Sequence, residues 1–196
     1  MTRLALIRHA MSEWNERGLI QGRADPPLSA QGADAVLSWR LPAELAAFDW
    51  VASPLLRARE TARLLLGREA AVEPALIEMA WGEWEGRSLA ALRAELGPAL
   101  AANEARGLDF RPPGGESPRE VEARLLPWLA RVAAAGRATA AITHKGVIRA
   151  ALGLATGWDF LGRPPVRLAA ARAQLFELDR DGRPRLLGEA LSLLSP

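Results

Sequence analysis

The chain has no cysteine and no tyrosine, only two histidines, and a single lysine, Lys145, among its 25 basic residues. Without cysteine there is no disulfide scaffold, no thiolate nucleophile and no thiolate-ligated zinc. Without cysteine or tyrosine, almost nothing titrates between histidine and arginine. The pI of 10.2 therefore reports missing mid-range groups, not a strongly basic surface, and the formal net charge is only +2. Nucleic-acid binding is not expected on that ground. No apolar run approaches the ~20 residues of a membrane span. Met1–Ala10 lacks the apolar stretch and small-residue cleavage site of a secretory signal, so a cytoplasmic protein without membrane association is expected.

What is present is the composition of a folded chain, 49% hydrophobic and 24% charged over 196 residues, which suits one domain over 1–196. Residues 3–7 (RLALI), 50–52 and 138–143 read as short buried strands. Gly and Pro punctuate a loop over 18–27. Ser29 reads as the N-cap of a helix to about Arg40, and Ser53-Pro54 opens a second through Leu66 with Gly67 as its stop. A turn-rich segment over 78–86 precedes two short helical patterns split at Gly97-Pro98, then a loop over 108–115. Ser117-Pro118-Arg119-Glu120 is a capping box; the helix it opens carries Val121, Leu125, Leu129 and Val132 on one face and ends at Gly136. His144-Lys145-Gly146 reads as a turn before a helix over 147–156. Residues 173–178 and 184–187, joined through Asp181-Gly182, form a terminal hairpin. Strands alternating with helices imply an α/β fold with a largely parallel sheet.

Both histidines follow an apolar strand, as LALI-Arg8-His9 and AAIT-His144, and ligand sites of α/β sheets gather at such carboxyl ends. A second signal is a broken local rule. Helix N-termini favour acidic side chains, yet the helix after Ser53-Pro54 begins with Arg57 and Arg59, and the one after His144 with Lys145 and Arg149. An anion held there would resolve the conflict; Arg59 and Arg149 read more simply as solvated arginines. Two histidines with Arg8 and Arg57 make a cationic pocket suited to a phosphate dianion. Arginine offers bidentate donors, and a neutral imidazole is a nucleophile. Two other chemistries are weaker. A zinc site on His9 and His144 lacks an evident third ligand, and arginines would repel the dication. A polyanion-binding module would need aromatic-basic stacking motifs that are missing.

These residues fall into an ordered set of motifs. The segment 6–15, Leu6-Ile7-Arg8-His9-Ala10-Met11-Ser12-Glu13-Trp14-Asn15, resembles the R-H-G opening of the histidine phosphatase superfamily, which includes cofactor-dependent phosphoglycerate mutases. Residues 53–62 (SPLLRARETA) are similar to its second arginine motif, 78–86 (EMAWGEWEG) to its acid-bearing segment, and 113–117 (PGGES) and 143–149 (THKGVIR) to its remaining landmarks. The resemblance runs from about residue 3 to 155. It implies a phosphoglycerate mutase-like three-layer α/β/α sandwich with a mostly parallel central sheet. It also implies a metal-independent phosphomonoesterase in which His9 carries the phosphoryl group, Arg8, Arg57 and His144 grip its oxygens, and Glu78 donates and then recovers a proton. Asn15, Ser12, Gln21, Gly22, Lys145 and Trp81 would bind the substrate, with no cofactor and a small phosphorylated metabolite as the partner of a monomer or homodimer. Spacing alone does not exclude Glu83 or Glu85 as the acid. Trp81 and Trp84 would wall the pocket or simply pack.

Ala10 and Met11 depart from the family pattern, and Met11 is expected to alter the pocket rim; Lys145 stands where relatives often have a small residue. The interval from position 78 to 144 is compact, which favours hydrolysis over the mutase reaction by leaving water access. A phosphoglycerate mutase and an alpha-ribazole phosphatase of cobalamin synthesis are the alternatives. Trp50, Trp128 and Trp158 are candidates for either a dimer face or internal packing.

Overall fold

Successive side chains of a strand point to opposite faces, so in β1 (Thr2–Arg8) Leu4 and Leu6 face one side of the sheet and Ala5 and Ile7 the other; all four are fully buried. A strand apolar on both faces needs cover on both. In the computed structural model, which describes residues 1–194, that cover is two helical layers. Leu4 and Leu6 pack against Val121, Leu125, Leu129 and Val132 of α6 (Pro118–Ala135) and Val147 and Ile148 of α7 (Lys145–Thr156). Ala5 and Ile7 pack with Val36 of α2 (Ala30–Ser38) and Ala58 and Ala62 of α3 (Leu56–Leu66). Burying such aliphatic side chains is worth about 1.5–3 kcal/mol each, so the two apolar faces of β1 fix the three-layer order.

The six-stranded sheet runs β3-β2-β4-β1-β5-β6. The strands β3 (Ala71–Val72), β2 (Asp49–Ala52), β4 (Thr139–Thr143) and β1 are mutually parallel, and β5 (Arg172–Leu178) and β6 (Pro184–Ser192) add an antiparallel hairpin. The carboxyl ends of β2, β4 and β1 therefore stand side by side. Beyond them, α4 (Leu89–Leu96) and α5 (Pro98–Glu104) build a small separate cluster in which Trp84, Leu92 and Leu100 pack with Ile20, Trp81 and Phe110. Among the described residues, no helix is long and apolar enough to cross a membrane.

Several boundaries differ from the sequence reading, each for a local reason. A short helix, α1 (Glu13–Glu16), is closed by a capping box between Ser12 and Asn15. Helix α2 stops at Ser38, before the extended Trp39. Helix α3 begins at Leu56, not at Ser53-Pro54; its cap Leu55 has no side-chain acceptor, and Asp25 from the 18–27 loop accepts the Leu56 N–H at 2.7 Å instead. Helix α7 starts two residues early, with His144 as its cap. A 3-10 turn over Gly107–Asp109 straddles the start of the expected loop. The two-residue, exposed β3 carries too little pattern to be read, and β6 continues past Leu187 to Ser192.

Gly182, in the β5–β6 turn at φ +84°, lies against the backbone of α6; a Cβ there would stand 2.5 Å from the Ala130 nitrogen. The backbone strain and the forced separation both oppose any side chain. Gly182→Ala is expected to cost about 2 kcal/mol or more and to lower the melting temperature by roughly 4–8 °C. A calorimetric scan showing no loss would contradict this packing.

Candidate active site

Parallel pairing places Arg8 opposite Thr143, so the next residues, His9 and His144, leave adjacent strand ends together. The His9 N–H donates to the Thr143 carbonyl at 2.9 Å, and the two imidazole centroids lie 5.1 Å apart, close to the spacing of neighbouring strands. From the third parallel strand, Ser53 follows β2 and sends its hydroxyl to His144 Nε2 at 2.6 Å. Helix α3 then turns Arg57 inward.

Arg57 is completely buried. The carbonyls of Gly22 and Ala24 each accept from its guanidinium at 2.9 Å, and its Nε donates to His9 Nε2 at 3.3 Å. That last bond requires a lone pair on Nε2. The other ring nitrogen, Nδ1, lies 2.6 Å from the Ala10 carbonyl and so donates to it. The hydrogen-bond network thus assigns His9 the Nδ1–H tautomer with Nε2 unprotonated. Burial, then the charges of Arg57 and Arg8, hold the His9 imidazole well below its ordinary pKa of 6.5; burial, then His9, Arg57 and Arg8, do so for His144. Both rings are neutral at pH 7. His144 Nδ1 is buried without a partner, as is Arg8 Nε.

Glu78 lies opposite. The N–H groups of Met79 and Gly146 donate to its carboxylate at 2.8 and 3.2 Å, and only glycine at 146 leaves room, because a Cβ there would collide with Glu78 Oε1. Burial nevertheless raises its pKa above the usual 4.5, against those two bonds and the Arg57 and Arg8 charges. The acid is therefore poised to hold a proton further up the pH scale than an exposed glutamate. Its segment is anchored by the PGGES motif. Glu116 accepts from the Ala80 N–H at 3.0 Å and from Arg124, whose other nitrogens reach the Ala75 and Ile77 carbonyls at 2.6 Å each.

The rival acids separate on geometry. All of Glu85's reach is spent on the N–H groups of Arg23, Ala24 and Trp81 at 2.7–3.0 Å, and Glu83 is exposed and outside the cavity wall. A cavity of about 600 Å³ joins Arg8, His9, Arg57 and Glu78 to Asn15, Gln21, Gly22, Lys145 and Trp81. Trp84, although mostly buried, also contributes to its wall.

Other expectations need correction. Ser12 is fully buried and does not line the cavity; its hydroxyl donates to Gln21 Oε1 at 2.6 Å and caps α1. His144 stands behind His9, not on the wall. Met11 is exposed and off the rim. Ala10 has no positive φ, so its methyl is unstrained, and its N–H donates to Thr61 at 3.1 Å. Trp50 and Trp128 are buried inside the fold. Arg149, read as merely solvated, is on the wall, together with Met79, Phe160 and Leu161. The i, i+4 spacing of Lys145 and Arg149 was the signal for it. Among the described residues, no three His, Asp or Glu side chains gather as metal ligands would.

Comparison with known proteins bears on this arrangement. The profile of the histidine phosphatase superfamily (branch 1) matches residues 4–188. The chain is 34% identical over 192 residues to a 2,3-bisphosphoglycerate-dependent phosphoglycerate mutase of Methylobacterium radiotolerans, covering 91% of this chain and 90% of that protein. Among solved structures it is similar to a mycobacterial glucosyl-3-phosphoglycerate phosphatase complexed with VO3 (26% identity, all of both chains, TM-score 0.78). It is also similar to the alpha-ribazole phosphatase of Shigella flexneri (26% identity, 99% of this chain and 96% of that one, TM-score 0.76).

With only two histidines in the chain, their titration is directly readable by long-range nitrogen–proton NMR. Both rings are expected to be neutral at pH 6.5, with His9 as the Nδ1–H tautomer. Arg57→Ala should move the His9 pKa up toward 6.5 but not to it, because burial is the larger cause. Half-protonated rings at pH 6.5 in the unaltered protein would contradict the geometry.

Proposed function

The chain belongs to the histidine phosphatase superfamily, branch 1, and from that footing we propose that it hydrolyses a small phosphomonoester through a phosphohistidine on His9. The observation that carries this reading is the Nε2 lone pair of His9, kept unprotonated at pH 7 and held by Arg57 at the floor of the cavity.

In the first step the Arg57 Nε–H leaves Nε2 for a phosphoryl oxygen, the freed Nε2 pair attacks phosphorus while the bond to the leaving oxygen breaks, and Glu78 gives that oxygen its proton. Arg8 and Arg57, both on the cavity wall, would bear the charge that gathers on the phosphoryl oxygens; fixed donors of this kind supply the larger share of such catalysis. In the second step water attacks phosphorus, its proton goes to the Glu78 carboxylate, and the P–N bond returns its electron pair to Nε2, releasing inorganic phosphate. Side chains supply every charge this cycle needs, so neither a metal nor an organic cofactor is invoked.

A second reading is a phosphoglycerate mutase, favoured by the 34% identity to a protein of that name. That relative matches over 90% of its own length, so the compactness of the interval from 78 to 144 does not set the two activities apart. Hydrolysis is supported by the cavity, whose 600 Å³ admits a small phosphoester together with water beside His9. Alpha-ribazole phosphate, the substrate class in the name of one structural neighbour, would meet the same site.

Phosphorus NMR with 3-phosphoglycerate separates the readings. Inorganic phosphate is the expected product; conversion to 2-phosphoglycerate without phosphate release would overturn the choice. His9→Ala is expected to abolish turnover of p-nitrophenyl phosphate. In the unaltered protein kcat/KM should fall as rising pH strips the proton from Glu78, whose pKa is raised, and as falling pH protonates His9 well below 6.5. Glu78→Gln should lose the alkaline limb and about 10²–10⁴ in rate with an alkyl phosphate.

A further inference from the structure

Apart from the groups used above, the cavity wall carries two cations that the chemistry does not consume. Lys145 and Arg149 lie one turn apart on the same face of α7, and both line the cavity that holds His9. Like charges at that spacing repel one another, and the opposing charge that reaches both is the single carboxylate of Glu78. Among the described residues neither forms an ion pair or a side-chain hydrogen bond, and Arg149 Nε is buried without a partner. Two carboxylates lie on the same wall. Glu78 is committed to the Met79 and Gly146 N–H groups, and Glu104 lies 3.9 Å from Arg93 at the outer rim.

The arginine is nonetheless held firmly. Its guanidinium carbon sits 4.9 Å over the ring of Trp158 and 5.3 Å from that of Phe160, and those rings stack on each other at 4.4 Å and 15°. Phe160 adopts φ +69° to make that stack, a conformation costly for a bulky residue. Stacking orients a guanidinium while leaving its edge donors free. Partial burial, then the neighbouring charges of Arg8 and Arg149, depress the Lys145 pKa against the opposing pull of Glu78.

We propose that Arg149 and Lys145 form a second anion subsite, so that the substrate is a phosphomonoester bearing another anionic group, carboxylate or phosphate, which Arg149 grips while the phosphoryl group rests at His9. The proposal deepens the phosphatase reading and rests on it for the orientation of the ligand.

Calorimetric titration with matched pairs tests it without requiring turnover. 3-Phosphoglycerate and glycerol 3-phosphate differ in a carboxylate against a hydroxymethyl group, and fructose 1,6-bisphosphate and fructose 6-phosphate differ in a second phosphate. The unaltered protein is expected to bind the more anionic member of at least one pair roughly tenfold or more tightly, the scale of a charged hydrogen-bonded contact. Arg149→Gln should remove most of that preference and Arg149→Lys only part of it. Lys145→Gln, at an exposed position, should reduce it without endangering folding, and circular dichroism checks that the arginine variants remain folded. No preference in either pair, equal loss for both members in Arg149→Gln, or binding of none of the four ligands would each overturn the subsite. Phosphate release from p-nitrophenyl phosphate, measured alongside, decides independently whether the hydrolase reading itself stands.

Discussion

A guanidinium with zero exposure and no carboxylate closer than 3.9 Å is the constraint around which this molecule is arranged. Leaving such a charge buried and unpaired would cost several kcal/mol. The fold answers with three acceptors: two loop carbonyls, from Gly22 and Ala24, and the bare nitrogen of His9. The loop over 18–27 is thereby pinned across the start of α3, where Asp25 also supplies the missing helix cap. The same charge depresses the His9 pKa and opposes the rise in that of Glu78. One buried arginine so couples loop position, helix entry and the protonation states of two reactive groups.

The parts of this arrangement visible in the sequence were those that depend on chain-local order. Strands ending in histidine, a helix opening with arginine against the dipole, and the capping box at Ser117 are written in neighbouring residues. The resemblance of the ordered motifs to a known family then pointed to Glu78. Residues whose role arises from folding were less legible. Ser12 reads like a pocket residue but turns inward to hold Gln21, and Ser53 reads like a cap but serves His144. Arg149 reads like a solvated helix residue until the loop after Gly157 brings Trp158 and Phe160 beneath it. In each case the deciding partner is remote in sequence, or lies in a loop whose conformation no periodicity announces.

Glu78, Glu83 and Glu85 illustrate how geometry separates residues that composition leaves alike. All three lie within eight residues of one another. Glu85 has become a clasp for backbone N–H groups, Glu83 faces solvent, and Glu78 alone is recessed beside the histidine. The clasp has its own steric requirement: a Cβ at Gly22 would overlap the Glu85 carboxylate. The glycine is demanded by a side chain that holds backbone N–H groups and so shapes the cavity wall beside Arg57.

The small cluster of Trp84, Leu92 and Leu100 has a further consequence. Trp81 and Phe110 join it to one of the two cores that clamp the sheet, whereas Leu92 and Leu100 pack in this cluster and in neither core; substitutions at distant, unshared sites act additively on stability. Leu100, which also lines the cavity, is therefore a position that selection, or an engineer, is free to recast at little risk to the scaffold. Descendants of such a chain would diverge in what the cavity admits long before they diverged in the groups around His9.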